Sequence, residues 1–449
     1  VSGLRNNKPR GHSPGSMAAE RRRKAAAADD DSRPMTRGTG QSTWKYRTCF
    51  HNTIGEVLKA RPGFKETDSD TDFDFIWADI SWMRENYDHM HFEEGQRINH
   101  FRNHYELTRK DLMVKNLKRM KKQTEREDRS AEAATKYDFF PATHVLPMDY
   151  QIFVEEFKKN PGVTWIAKPI GSAQGKGIFL FNKLSEVSQW KKDARWTDER
   201  FKAKKEDAPP AVEAYVVSKY VPNPYLVGGK KFDLRLYVLV QSYSPLTVWM
   251  YRTGFARFSK WRYSLKNGEL GNAYVHLTNV AVQKTAPGYD REAGCKWDLR
   301  NLKMYLMARH GPEATNEMLY GIQMIVLRSL FSVQKIMIND KHCFELYGYD
   351  ILIDDVLKPW LIEVNASPSL TADTAQDHDL KLGMLDDMLD VIDIEGRRTG
   401  NEEQVGGFDL IFANGQCKAD RTGITMLGCY NNRLKFKNTG RKRHQKHKK

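Results

Sequence analysis

The sequence predicts a mixed α/β (α+β) fold, and three observations carry that reading. Lys231-Phe232-Asp233-Leu234-Arg235-Leu236-Tyr237-Val238-Leu239-Val240 sets Phe232, Leu234 and Leu236 on one face and Lys231, Asp233 and Arg235 on the other, the period of a β-strand. Tyr150 to Lys159, Ala314 to Lys335 and residues 375–393 space their apolar residues at helical intervals instead. A glycine-rich loop, Gly171 to Gly177, separates two strand-like runs, Thr164 to Pro169 and Ile178 to Phe181.

The chain has 449 residues, enough for two or three domains with their own cores. Hydrophobic residues make up 40% of it, which fits a globular protein with added polar segments. No apolar run approaches the roughly 20 residues of a membrane span, so no membrane partner is expected. The chain starts at Val1, and its Arg/Lys/Pro/Gly-rich opening lacks the apolar stretch of a secretory signal. Cys49, Cys295, Cys343, Cys417 and Cys429 are odd in number and have no metal-ligand spacing, which argues for a reducing compartment.

Net charge is +15, unevenly spread. Residues 1–47 hold eleven Lys/Arg against four acids, and residues 433–449 hold nine Lys/Arg and no acid. The stretch between, 48–432, is therefore near neutral at −1. Basic tails seek polyanions such as nucleic acid, acidic membrane or an acidic protein surface. A localisation signal or simple solubility would look the same.

Residues 1–43 are poor in apolar residues and read as a disordered basic segment. Order is expected from Trp44, with a helix over Ile54 to Ala60, a strand over Phe73 to Trp77, and a small α/β unit over 44–100. A basic helix is expected from Thr108, fading into a charged linker over 121–136. Phe139 to Pro147 reads as strand and turn, Glu213 to Val221 as a strand, and the Lys/Asp/Glu/Pro-dense 191–212 as an exposed insertion. The glycine loop is no Walker loop, because Gly177 and a strand follow Lys176 where Ser/Thr and a helix are needed. A dinucleotide fingerprint also needs a helix there. A glycine hairpin can fold over phosphates with backbone N–H groups and Lys176, although tight turns also use glycine. Lys231, Asp233 and Arg235 suit either a water-facing edge or a pocket wall. Thr247 to Phe258 continues the sheet, Asn301 to Ala308 is helical, and nothing beyond Gly396 suggests a fold.

The richest stretch is Tyr349 to Ile353 and Pro359 to Val364 around Asp354-Asp355-Val356-Leu357-Lys358, which reads as a β-hairpin. Pairing Asp350 with Glu363 puts Asp350, Leu352, Leu361, Glu363 and Asn365 on one face and Ile351, Ile353, Ile362 and Val364 on the other. Asp350, Glu363 and Asn365 then cluster at the end away from the turn. Two carboxylates that close repel unless a cation lies between them, and a hard divalent ion such as Mg²⁺ takes such oxygen donors. The alternative is a surface hairpin with solvated acids.

Lys168-Pro169 before a glycine hairpin, Lys231-Phe232-Asp233-Leu234-Arg235, His276-Leu277-Thr278-Asn279 and Glu363-Val364-Asn365 together resemble the tubulin tyrosine ligase-like family, over residues 44–390. Asn103 to Lys110 is similar to its polyglutamylase branch. The resemblance implies an ATP-grasp fold. It divides the chain into a disordered segment (1–43), an N-terminal α/β domain (44–135), a central domain with the phosphate loop (136–240), a C-terminal domain with the metal hairpin (241–394) and a low-order basic tail (395–449). It implies ATP and Mg²⁺ as cofactors. Lys168, Gln174, Gly175, Lys176, Lys231, Asp233, Thr278 and Asn279 would bind ATP, with Ser218, Lys219, Tyr220 and Val221 as the adenine hinge. Asp350, Glu363 and Asn365 would hold Mg²⁺. Arg257 would take the α-carboxylate of the incoming amino acid, with Lys284 and Thr371 as further candidates for its pocket. Arg235 and Lys110 would sit by the reacting groups. Val280 stands where some members carry Tyr.

The reaction implied is ATP-dependent ligation of glutamate to glutamate side chains in acidic tubulin tails. ATP converts a carboxyl to an acyl phosphate, which an amino acid's amine attacks. Partners would be tubulin in microtubules and free L-glutamate, with accessory subunits as further candidates. The place would be cytoplasm and cytoskeleton, in a ciliary or flagellar axoneme or a basal body. Competing readings are a catalytically silent or accessory microtubule-binding protein, a glycine or tyrosine ligase, and a nucleic-acid binder. Against the last stands the lack of aromatic–basic interleaving.

Overall fold

Two strands, Lys230–Tyr243 of 14 residues and Leu246–Phe258 of 13, pair antiparallel at the centre of the protein. The computed structural model describes residues 43–172, 174–187, 214–290, 294–419 and 425–429. The basic segments expected over 1–43 (but for Thr43) and 433–449, and the insertion over 191–212, lie outside those residues. The central sheet runs Pro359–Asn365, Glu345–Ile353, Lys230–Tyr243, Leu246–Phe258, Phe408–Ala413, Gln404–Val405. The short strand Lys296–Asp298 also pairs with Leu246–Phe258, setting Lys296 opposite Arg257.

Alternation along Lys230–Tyr243 decides what packs where. Phe232, Leu234, Leu236, Val238 and Val240 join the core that contains Ile322, Ile325, Val326 and Leu330 of the helical segment Leu299–Gln334. Tyr237 and Leu239 face the other way, into a core with Met384, Leu385 and Met388 of the helix Ala375–Ile392. Earlier on that second face the residues become Arg235, Asp233 and Lys231, and the helix gives way to a cleft. Leu299–Gln334 is broken at Gly311 (φ 82°), with Pro312 next, as the separate expectations for Asn301–Ala308 and Ala314–Lys335 imply.

A second sheet, antiparallel, orders Thr143–Leu146, Tyr215–Lys219, Trp165–Pro169 and Phe179–Phe181. The helix Tyr150–Lys159 covers it, with Phe153 edge-on to Trp165 at 5.1 Å. A third, parallel sheet orders Phe64–Glu66, Trp44–Thr48, Phe75–Trp77 and Arg97–Ile98. Ile98 bridges to Cys343, and buried Arg61 forms ion pairs with Asp386, Asp390 and Glu395. These contacts fasten the N-terminal sheet to the central one.

Three expectations change. The basic helix does not begin at Thr108, because the Thr108 hydroxyl donates back to His104 O (3.2 Å) and closes a short helix, Tyr105–Thr108. Arg109 is extended (φ −86°, ψ 123°), and a new helix spans Lys110–Glu127, with Lys110 in its first turn. The chain beyond 395 is not a low-order tail throughout. Gln404–Val405, Phe408–Ala413 and Gln416–Cys417 extend the central sheet, Phe408 is fully buried, and Arg252 forks onto Asp409. Residues 425–429 dock through Lys303, whose ammonium donates to Thr425 O (2.8 Å) and Leu427 O (2.9 Å). Finally, the hairpin carries a bulge. Asp350 pairs with Glu363 as expected, but Ile351 pairs with Leu361, leaving Ile362 as the extra residue. Leu361 therefore packs beside Ile351 in the core while still bordering one end of the cleft, and Ile362 borders both ends of it.

Phe408 packs against Tyr251 at a centroid distance of 4.8 Å, the rings tilted by 57°. Phe408→Ala should therefore cost about 3–5 kcal/mol of stability. Chemical denaturation checks this. A loss within about 0.5 kcal/mol, as for a surface site, would contradict the docking of residues 404–417.

Candidate active site

The cleft lies between the antiparallel sheet and the charged end of the central sheet, and it has two chambers. One is walled by Val114, Phe140, Ile166, Val216, Leu352 and Leu361, with Ser218, Lys219, Tyr220 and Val221 along one side. Its apolar walls suit a flat organic ring. The other carries most of the polar groups: Gln174, Gly175, Lys176, Asn279, Asp350, Glu363 and Asn365. Lys110, Lys168, Lys231, Asp233 and Thr278 border both chambers.

The glycine loop closes on the segment after His276. Gly175 has φ +83°, and a Cβ there would come within 2.8 Å of Val282 Cγ2 and 3.3 Å of Asn279 Oδ1. Only glycine allows both the backbone turn and the approach. Lys110 reaches across and donates to Ser172 O at 3.1 Å. Three lysines thus stand around the polar chamber with Lys176 as a fourth. Burial pulls the Lys168 ammonium below its usual range, against the pull of Glu363 and with the help of Lys110. Burial takes Lys231 to about 7, against Asp233 and with Lys168. An anion entering here would meet cations that gain by its arrival.

Beneath the lysines, Arg235 forks onto Asp350 (Nε–Oδ1 2.6 Å, Nη2–Oδ2 3.1 Å). Arg257 donates from Nε to Asp233 Oδ1 at 2.9 Å and from Nη2 to both Asp233 and Asp350, the latter at 2.8 Å. Burial raises the Asp350 carboxyl, but Arg235 and Arg257 outweigh it and hold the group well below the usual carboxylate range. Burial likewise works against Arg257, and Asp233 and Asp350 reverse it.

The hairpin brings Asp350, Glu363 and Asn365 together at the polar chamber. Asn365 Nδ2 donates to Gly348 O at 3.2 Å, which leaves its Oδ1 as the acceptor-side atom. Glu363 makes no hydrogen bond or ion pair with another side chain among the described residues. Two carboxylates and an amide oxygen, with room for phosphate oxygens, are a donor set that fits a hard divalent cation. Among the described residues, no group of three His, Cys, Asp or Glu forms a self-sufficient metal cage. The set therefore fits an ion shared with a ligand.

The remaining expected residues lie elsewhere. Lys284 is exposed, forms an ion pair with Asp373 and borders neither chamber. Thr371 is exposed, and its carbonyl accepts from Lys381 Nζ at 2.8 Å. Arg257 is 6% exposed and is held by two carboxylates, so it stands behind the chamber wall and does not line it. Sequence reasoning missed Lys296, whose Nζ lies 2.7 Å from both Asp373 and Asp377. Its signal was the alternation Lys296-Trp297-Asp298 next to a strand that already carries Arg257. It also missed Tyr220 and His276 as a hydrogen-bonded pair, at 3.1 Å.

The sequence profile of the tubulin-tyrosine ligase family matches residues 88–400. A rat (Rattus norvegicus) protein named probable tubulin polyglutamylase TTLL9 is 51% identical over 425 residues, covering 87% of this chain and 90% of the relative. A Caenorhabditis elegans protein named probable tubulin polyglutamylase ttll-9 is 48% identical over 380 residues, 84% of this chain and 87% of the relative. A Tetrahymena thermophila protein named probable alpha-tubulin polyglutamylase Ttll1 is 43% identical over 398 residues, 83% and 94% of the two chains. The matched span includes every residue that lines the cleft, and on that ground the chain belongs to the tubulin-tyrosine ligase family.

Proposed function

We propose that this protein is an ATP-dependent tubulin polyglutamylase, joining glutamate to side-chain carboxyls of glutamates in tubulin tails. The observation that carries the reading is the pairing of an apolar chamber with a lysine-ringed polar one that ends at Asp350, Glu363 and Asn365. The names of its relatives agree with it. Adenine takes the apolar chamber beside Ser218, Lys219, Tyr220 and Val221. The phosphates take the polar chamber, against Lys168, Lys176, Lys231 and the loop at Gln174 and Gly175, with Asp233, Thr278 and Asn279 along the nucleotide. Mg²⁺ held by Asp350, Glu363 and Asn365 would supply charge neutralisation at the phosphates.

Joining an amine to a carboxylate is uphill in water. The acceptor carboxyl takes a phosphoryl group from ATP, giving an acyl phosphate and ADP. The amine of free glutamate then forms the amide and releases phosphate. The protein's part is to align the groups and stabilise charge. Lys110, poised over Ser172, and Arg235, under Asp350, are the cations for the reacting carboxyl. Arg257 would serve a substrate carboxylate only after giving up Asp233 or Asp350, which hold its fork behind the chamber wall in the free protein. A tubulin modifier acts at the cytoskeleton, and we place this one at a ciliary axoneme or basal body. Mass spectrometry of tubulin incubated with the protein, ATP and each single amino acid tests the reading. Glutamate added to tail glutamates is expected, and glycine or no addition would overturn it.

The two metal-side acids should behave differently when neutralised. Glu363→Gln should lower ligation at least about 100-fold with an unchanged unfolding midpoint, since Glu363 holds no other side chain. Asp350→Asn should lower both, because it leaves two buried guanidiniums short of a counter-charge, at about 3–5 kcal/mol. Thermal unfolding beside a ligation assay separates them. Near-normal turnover in Glu363→Gln sinks the metal assignment.

Nucleotide affinity should fall as pH rises above 7. Lys231 in the free protein loses its proton at about 7, with Lys168, Asp233, Tyr220 and His276 facing it. Phosphate favours the charged lysine, so above that pH binding must first restore the proton. Calorimetry of ATP binding at pH 8, above the phosphate's own ionisation near about 6, in two buffers of different ionisation enthalpy should show proton uptake. No uptake would mean that Lys231 is charged throughout.

A further inference from the structure

We propose that His276, acting through the Tyr220 hydroxyl, is a positioning residue that aims the Lys231 ammonium at the phosphates, so that the hinge and phosphate ends of the cleft work as one unit. The proposal rests on the nucleotide reading above. His276, Tyr220 and Lys231 are 1%, 5% and 8% exposed.

The direction of each hydrogen bond follows from chemistry. His276 Nε2 lies 3.0 Å from Glu269 O, and a carbonyl can only accept, so Nε2 carries the proton. Burial, then the charge of Lys231, takes the His276 imidazole to about 4, so the ring is neutral near pH 7 and Nδ1 offers a lone pair. Tyr220 Oη, 3.1 Å from Nδ1, is then the donor. The Tyr263 hydroxyl also faces Tyr220, and the Tyr220 lone pairs take Lys231, whose Nζ donates to Oη at 3.0 Å. A second Lys231 proton goes to the backbone carbonyl of the same histidine, at 2.8 Å. An ammonium has three protons, and the one left serves the cleft that Lys231 borders in both chambers.

The arrangement is held from every side. The Lys231 ammonium also lies 4.7 Å from the Tyr220 ring centroid. Tyr263 packs edge-on to His276 at 5.8 Å, with its hydroxyl donating to Pro222 O at 2.7 Å just past the hinge. Asp233 and Lys168 are the charged groups that also face Lys231. Tyr220 belongs to the hinge beside the apolar chamber, whereas Lys231 serves the polar one. His276 is thus fixed to both ends of the nucleotide through one hydroxyl.

The test is calorimetric binding of ATP and of adenosine to the full chain and its variants. Tyr220→Phe removes one oxygen and keeps the ring. It should weaken ATP about tenfold, well beyond any loss for adenosine. His276→Leu should do the same, and His276→Asn, which keeps an acceptor near the Nδ1 position, should recover part of the loss. In a Lys231→Met background, Tyr220→Phe should cost nothing further, since the two act as one unit. Equal losses for ATP and adenosine, or losses that add in the Lys231→Met background, overturn the relay. If His276→Leu fails to fold, Tyr220→Phe alone decides. Wild-type protein that binds neither ligand at millimolar concentration sinks the nucleotide reading itself, a different result from tight ATP binding that is indifferent to Tyr220.

Discussion

The arrangement that the cleft depends on is the set of four charges, three buried and Arg235 nearly so, on one face of the central sheet. Asp233 and Arg235 come from Lys230–Tyr243, Arg257 from Leu246–Phe258 and Asp350 from Glu345–Ile353. Two guanidiniums and two carboxylates cancel formally, and each carboxylate is bound by at least one fork. Charges this deep are tolerated only when paired and hydrogen-bonded. The backbone makes room for them. A Cβ at Gly348 would stand 2.9 Å from Pro368 Cβ and 3.3 Å from Arg235 Cδ, so a side chain there would displace the arginine or the loop after the hairpin. Because Asp350 is already engaged by two arginines, Glu363 is the more available carboxylate at the polar chamber.

The same strand explains why the cleft lies where it does. Along one face of Lys230–Tyr243, Leu239 and Tyr237 are covered by Ala375–Ile392, and two residues earlier the face turns charged. A helix could not cover Arg235, Asp233 and Lys231 without leaving polar groups unsatisfied. The antiparallel sheet arches over this end instead, bringing the hinge and the glycine loop above it. Apolar and polar chambers therefore meet at Lys168 and Lys231, which border both.

Much of this was legible in the sequence because it follows from local periodicity. The pairing of Asp350 with Glu363, the shared face of Lys231, Asp233 and Arg235, and the helix Tyr150–Lys159 all come from spacing alone. What was not legible depends on partners far along the chain. The bulge at Ile362 cannot be read from alternation, since it breaks alternation, and it turns Ile362 from the expected core face into the cleft. Residues 404–417 are short, glycine-punctuated strands with weak patterns of their own. They are ordered by Arg252 on Asp409 and by the Asp387 carboxylate accepting from Gly407 N at 2.8 Å. Lys284 looked available for a substrate carboxylate, and only the fold shows Asp373, 89 positions away, beside it.

The chemistry of the cleft is one of placement. Cys49, Cys295, Cys343, Cys417 and Cys429 border neither chamber. The serine hydroxyl at the hinge, Ser218, is committed to Thr143 Oγ1 at 2.9 Å. What the cleft does offer is cations at graded depths. Lys110 bridges to the glycine loop, Lys168 and Lys231 lie between the chambers, and Arg235 and Arg257 sit below them. A phosphoryl group in transit and an acyl phosphate both carry their charge on peripheral oxygens, and fixed cations stabilise that charge without having to reorganise. Burial that weakens the lysines' hold on their protons in the empty cleft also removes the water that would otherwise screen them, so the interaction is strongest once phosphate has entered.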